Sequence, residues 1–222
     1  MQPRCLSPGQ NPASTGLAIG GFARSIRSCA TALVILGFAG LNCIASGSKS
    51  APLGPLPQIR VEDIDGNFVD PFAAGDAKAF VFIFASVECP VSNSYAPEYN
   101  RLGAEFRAKH VAVRLVYPNA DETPGRVKQH IKEYGLSLVV FRDPTHALAK
   151  ACGVGMTPEA AVYLPGSGIV YRGRVDNRYA DLGVARQAAT EHDLRDAITA
   201  VLEGRAVARN TAPAIGCSIS PR

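Results

Sequence analysis

Along the 222 residues the spacing of apolar positions changes repeatedly, and each change marks an element. "KAFVFIFASV" (78–87) is an unbroken apolar run, the pattern of a strand buried on both faces. It gives way to Tyr95, Tyr99, Leu102 and Phe106, spaced as one face of a helix. "VAVRLVYP" reads as the next strand and 118–124 as a loop. "GRVKQHIKEYG" is a helix stopped by Gly135, "LVVFRDP" a strand, and "THALAKACG" a short helix ending at Gly153. Two segments alternate as hairpins: "IRVEDIDGNFVD" around Asp65-Gly66, and "EAAVYLPGSGIVYRGRV" around Gly166-Ser167-Gly168. A polar loop (176–190) follows, crowded with Arg178, Tyr179, Asp181 and Arg186. It reads equally as a substrate rim or a structural lid. Thr190 and Asp193 then form a capping-box pattern before the last helix, "EHDLRDAITAVLEG". The order, hairpin, βαβαβα, hairpin, helix, predicts an α/β sandwich around a mixed sheet over residues 59–204. Residues 205–222 form a tail without periodicity.

Composition changes this picture mainly at the N-terminus. Residues 1–45 hold Arg4, Arg24 and Arg27 and no acid, so they contribute three of the four net positive charges, and the remainder is close to neutral. No basic stripe interleaved with aromatics is present, which argues against nucleic acid as a partner. Two arginines, an apolar run from Cys29 to Leu41 and then small residues follow the order of a secretory leader. The run is short against the roughly 20 residues of a bilayer span. Cleavage after Ala45 or Gly47, lipidation of Cys43, and a retained membrane anchor are the three open outcomes. Residues 46–58, rich in Ser, Pro and Gly, read as a linker. The expected location is therefore exported, periplasmic or otherwise extracytoplasmic, with the membrane touched only through the leader or a lipid. Cys89, Cys152 and Cys217 then remain where disulfides persist. No CxxC and no zinc spacing is present, so no metal site and no cofactor are expected.

Cys89 stands just past the buried strand and directly before Pro90, where a helix begins. Pro suits the first helical turn because it has no N–H to lose. Unpaired N–H groups at a helix N-terminus favour the thiolate, the form that reacts. The alternative is a buried structural cysteine. Cys152 in "AKACG" reads as packed core. His146 reads as a helix start, and His110, His130 and His192 read as residues of solvated helix faces.

"FASVECPVSNSYAPE" and "GMTPEAAVYLPGSGIVYRGRV", with the surrounding order of elements, resemble the thioredoxin-fold redoxins, nearest the AhpC/TSA-type, peroxiredoxin-like domain of exported bacterial proteins. The resemblance covers roughly residues 56–204. It implies a thioredoxin-like three-layer α/β sandwich with a mixed β-sheet and an N-terminal hairpin. Cys89 takes the place of the nucleophile, with Pro90 beside it on the substrate side. Pro97 matches the proline that kinks the active-site helix. Thr157-Pro158 matches the cis-proline dipeptide that lies against the sulfur and docks the substrate. Ser86 matches the Thr/Ser three residues before a peroxidatic cysteine and is expected to hydrogen-bond the sulfur. Arg174, or Arg172, is the candidate for the arginine that polarises a peroxide. Ser92 stands where a second cysteine would be, Phe82 where the peroxiredoxin motif has proline, and Ile83 near the position of thioredoxin's buried acid.

The resemblance implies a thiol oxidoreductase acting on a protein disulfide or a peroxide, recharged by an outside reductant. A copper-handling or partner-docking module using Cys89 and Cys217 is the alternative, and an inert fold is a third. The missing second thiol points to Cys217 in "AIGCSI". Thirteen residues separate it from Gly204, and at about 3.3 Å each they span about 43 Å. A domain of this size is about 30–40 Å across, so the tail can reach Cys89 in its own chain or a neighbour's. A frayed terminus is the competing reading.

Overall fold

The computed structural model describes residues 58–219. The expected leader (1–45) and all but the last residue of the expected linker (46–58) lie outside the described residues. β1 (Val61–Asp63) and β2 (Phe68–Val69) form the anticipated hairpin, with Val61 opposite Val69. Asp63 closes its turn by accepting from the backbone N–H groups of Asp65 and Asn67. β3 (Ala79–Phe84) is buried along its whole length. After it come α1 (Pro90–Ser94) and α2 (Ala96–Arg107), then β4 (Val111–Tyr117), α3 (Pro124–Glu133) and β5 (Val139–Arg142). α4 (Ala147–Cys152), β6 (Met156–Thr157), β7 (Glu159–Leu164) and β8 (Gly168–Gly173) follow. β9 (Tyr179–Asp181) and β10 (Val184–Ala185) make a small separate hairpin before α5 (Asp193–Leu202). The tail adds β11 (Thr211–Ala212) and β12 (Cys217–Ser218).

Eight of these strands form one mixed sheet, in the order β11-β8-β7-β3-β4-β5-β1-β2. β3, β4 and β5 run parallel, whereas β7 is antiparallel to β3. The alternation along β3 explains the three layers. Val81 and Ile83 face a core closed by α2, α3 and α5, and Phe80, Phe82 and Phe84 face a second core under α4 and Phe72. The α2 stripe is buried as its spacing predicts: Tyr99, Leu102 and Phe106 are all inside. The helix is broken at Tyr95, which ends α1 and caps α2 with Pro97 in the first turn of the second piece.

Three local expectations are corrected. The tail carries strands, because its short segments are held by pairing with β8 and β6 rather than by any periodicity of their own. Thr190 does not cap α5: the N-cap is His192 with no side-chain bond, and the Thr190 hydroxyl instead accepts from the Asn177 amide. His130 is buried rather than solvated, bridging Tyr117 and Asn93.

Candidate active site

Parallel strands bring the loops after their carboxyl ends together, so the 85–89 turn after β3 and the 118–123 loop after β4 are neighbours. Cys89 is the N-cap of α1 and is only 1% exposed. The Ser92 N–H donates to its sulfur at 3.4 Å, and its thiol donates to the Thr157 carbonyl at 3.1 Å. An amide aimed at the sulfur is the interaction that stabilises a thiolate. Pro90 occupies the first helical position and is exposed beside the cysteine. The Thr157–Pro158 peptide is cis, as expected.

The tail brings the second thiol to this point. β12 pairs antiparallel with β6, setting Cys217 opposite Thr157, the residue whose carbonyl Cys89 contacts. Burial and then the neighbouring Cys89 push the Cys217 thiol up to about 11. Both cysteines are free thiols. Two thiols that flank the same residue, Thr157, can close to a disulfide by losing two electrons and two protons. Cys152 sits in the second core, and burial pushes its thiol up to about 12.

Ser86 does not reach the sulfur. Its hydroxyl donates to Glu122 Oε1 at 2.7 Å and accepts from the Glu88 N–H and the Asn119 amide. Glu122 Oε1 also accepts from the Val87 N–H at 2.7 Å, so this carboxylate shapes the turn leading into Cys89. Glu122 is 1% exposed and its Oε2 has no hydrogen-bond partner. Burial raises its pKa, opposed by the bonds from Ser86, Val87 and Asn119. Sequence reasoning sought an acid in β3 and missed this one. The usable signal was that "YPNADET" ends a strand parallel to and beside β3.

The rest of the surroundings hold α1 in place. His130 Nε2 donates to Asn93 Oδ1 at 2.9 Å, leaving Nδ1 to accept from the Tyr117 hydroxyl at 2.8 Å. Burial lowers its pKa, so the ring is neutral near pH 7. Asn93 in turn donates to the Val87 carbonyl. The 176–190 segment acts as a brace: Tyr95 donates to Asp176 at 2.5 Å, and Tyr179 donates to Ser94 at 2.9 Å. Arg174 is engaged elsewhere, its Nε donating to Asp193 at 2.6 Å and its other arm paired with Glu191. Arg172 donates to the Gly153 carbonyl. The guanidinium groups expected to meet a substrate thus anchor α4 and the start of α5. Among the described residues, no cluster of three or more His, Cys, Asp or Glu could hold a metal ion, and no helix is long and apolar enough to cross a membrane.

The family model described as Redoxin matches residues 53–181. A hypothetical protein from Sinorhizobium meliloti has a similar solved structure, with 28% identity over 74% of this chain and 91% of that one, and a TM-score of 0.63. An uncharacterized conserved protein from Geobacillus kaustophilus matches with 27% identity over 75% and 90%, at 0.66. A Chlorobium tepidum protein proposed to be the thiol:disulfide interchange protein DsbE matches at 18% identity over 66% and 94%, at 0.51, and shows the shared thioredoxin-like fold. None of the curated proteins compared with the chain is a match.

Proposed function

The chain belongs to the redoxin family, and from that premise we propose that it is a thiol-disulfide oxidoreductase whose nucleophile is Cys89 and whose resolving thiol is Cys217. The observation that carries the reading is the β12–β6 pairing, which sets Cys217 opposite Thr157, the residue whose carbonyl accepts from the Cys89 thiol, although the two cysteines are 128 positions apart in the chain. The Cys89 thiolate, held by the Ser92 N–H, attacks a substrate disulfide. A bond forms between Cys89 Sγ and one substrate sulfur, and the other sulfur leaves as a thiolate that takes up a proton. Cys217 then gives up its proton and attacks Cys89 Sγ. The substrate's second sulfur is released, and Cys89–Cys217 is left as the oxidised form. An outside dithiol restores both thiols by two exchanges, first forming a mixed disulfide with one cysteine and then leaving as its own disulfide, its two protons passing to Cys89 and Cys217.

The order of events follows from the electrostatics. A thiol held near 11 is a weak nucleophile at neutral pH. Once Cys89 is tied up in a mixed disulfide, its share of this shift is gone while the larger share, from burial, remains, so Cys217 ionises more readily than in the resting protein. The pattern read over residues 1–45 supports export to a compartment where such exchange persists. The redoxin domain (59–204) and its tail (205–222) then work as one unit.

Peptide mapping without reductant, after treatment with oxidised glutathione, tests the proposal. A Cys89–Cys217 cross-linked peptide is expected in the wild type, a stable glutathione adduct on Cys89 in Cys217→Ser, and neither in Cys89→Ser. A Cys89–Cys152 link, or a Cys217→Ser protein that turns over unchanged, defeats it. Copper(I) retained by the purified protein and lost in Cys89→Ser would favour the soft-metal reading instead.

A further inference from the structure

Strand β12 is fitted to its place. Cys217 pairs with Thr157 and Ser218 with Met156, the Ile219 N–H donates to the Gly155 carbonyl at 3.0 Å, and the Thr157 hydroxyl donates to the Cys217 carbonyl at 3.4 Å. Gly216 permits the approach: a β-carbon there would lie 2.0 Å from Thr157 O and 2.9 Å from Pro158 Cδ. Upstream the chain is strapped again, since a β-carbon on Gly173 would lie 2.2 Å from the Ala212 carbonyl oxygen of β11. Beyond β12, Ile219 packs against the second core. The tail is thus fixed on both sides of Cys217. Beneath it Cys89 is buried, while Cys217 itself is partly exposed.

The backbone edge that β12 holds, at Met156–Thr157, includes the carbonyl that Cys89 contacts. An extended polypeptide presenting a sulfur to Cys89 from this side needs that same edge, because its own N–H and C=O groups must be paired as the strand docks. We propose that β12 is an intramolecular competitor for the β6 edge. It stands in the register of an incoming strand, with Cys217 in the position of the substrate's cysteine. A polypeptide reaches Cys89 only after residues 213–219 lift away. The inference rests on Cys89 being the reactive sulfur, and it also sets a preference. The residue before the docked cysteine has no room for a side chain, so polypeptides carrying Gly-Cys fit the edge and those with a β-branched residue before the cysteine do not.

The test reads accessibility rather than turnover. Iodoacetamide labelling of Cys89 in the full chain is followed by mass spectrometry, with buried Cys152 as the internal control for global unfolding. Gly216→Val, which wedges the strand off β6, is expected to speed labelling of Cys89 by about tenfold or more while Cys152 stays protected, as local opening without global unfolding requires. Cys217→Ser keeps the backbone pairing and should label as slowly as the wild type. A synthetic peptide of residues 210–219, with serine in place of Cys217, should restore protection to the Gly216→Val protein; the same peptide with valine in place of Gly216 should not. Labelling of Gly216→Val no faster than wild type overturns the proposal, as does Cys217→Ser labelling as fast as Gly216→Val. If Cys152 also opens in the valine variant, Gly216→Ala is scored by the same criteria. Failure of the redox reading is seen separately, as an absent Cys89–Cys217 cross-link with this labelling pattern intact.

Discussion

At the scale of single residues, the chemistry around Cys89 depends on groups that never touch its sulfur. Glu122 accepts from the Ser86 hydroxyl and the Val87 N–H, and with them fixes the turn that ends at the cysteine. Its other oxygen is buried without a partner, so the ionised form is held at a cost. Because the folded-state pKa is raised, the native protein keeps this proton to higher pH than the unfolded chain does. Stability is then full below the ordinary carboxylate range and declines as pH rises through the folded-state value. In urea unfolding between about pH 4.5 and 8, the stability of the wild type relative to Glu122→Gln should fall as pH rises, because only the wild type carries this titration. Equal slopes would mean that Glu122 is solvated in the native state.

At the scale of elements, α1 is too short to hold itself. Five residues make little more than one helical turn, and such a helix owes its stability to packing rather than propensity. Three neighbours brace it: α3 through His130, the 176–190 segment through Tyr179, and β6 through Thr157. The His130 brace is sensitive to acid. Burial lowers the imidazole pKa, so the unfolded chain takes up this proton first and stability falls as pH drops below about 6.5. His130→Gln keeps a donor for Asn93 and an acceptor for Tyr117 but cannot titrate. Its thermal midpoint should therefore vary less than the wild type's between about pH 5 and 7.5. A wild-type midpoint that is flat over that interval would remove His130 from this role.

At the scale of the whole molecule, the tail joins the fold at two separate edges. β11 extends the main sheet beside β8, and β12 pairs with β6 beside Cys89. Gly173 makes the first attachment possible, at a φ of 153° and with no room for a β-carbon against Ala212. Gly173→Val should release β11 and lower stability by about 1–3 kcal/mol, the usual range for overpacking. It should also open the tail to limited proteolysis near Thr211. A variant as protease-resistant as the wild type would show that β12 alone retains the tail.

Several features were legible in the residues because they are local. The unbroken apolar run is β3, the 4-3-4 stripe is the buried face of α2, and a cysteine before a proline at the end of that run caps α1. Periodicity and turn chemistry report such elements directly, since each is decided by which side chains face a core or cap an end. The core role of Cys152 and the cis bond before Pro158 were legible for similar reasons, one from pattern and one from the resemblance. Position across the sheet was not. The tail's reach could be reckoned from chain length alone, but its landing place depends on a free edge at β6 and on a glycine at the point of closest approach. The burial of His130, the Ser86–Glu122 contact and the capture of Arg174 by Asp193 depend likewise on which elements are neighbours. Strand order is settled by the joint packing of distant segments, and no window of the sequence contains that information; the elements and the place of Cys89 at a helix start were written locally, and what surrounds Cys89 was decided by the tertiary structure.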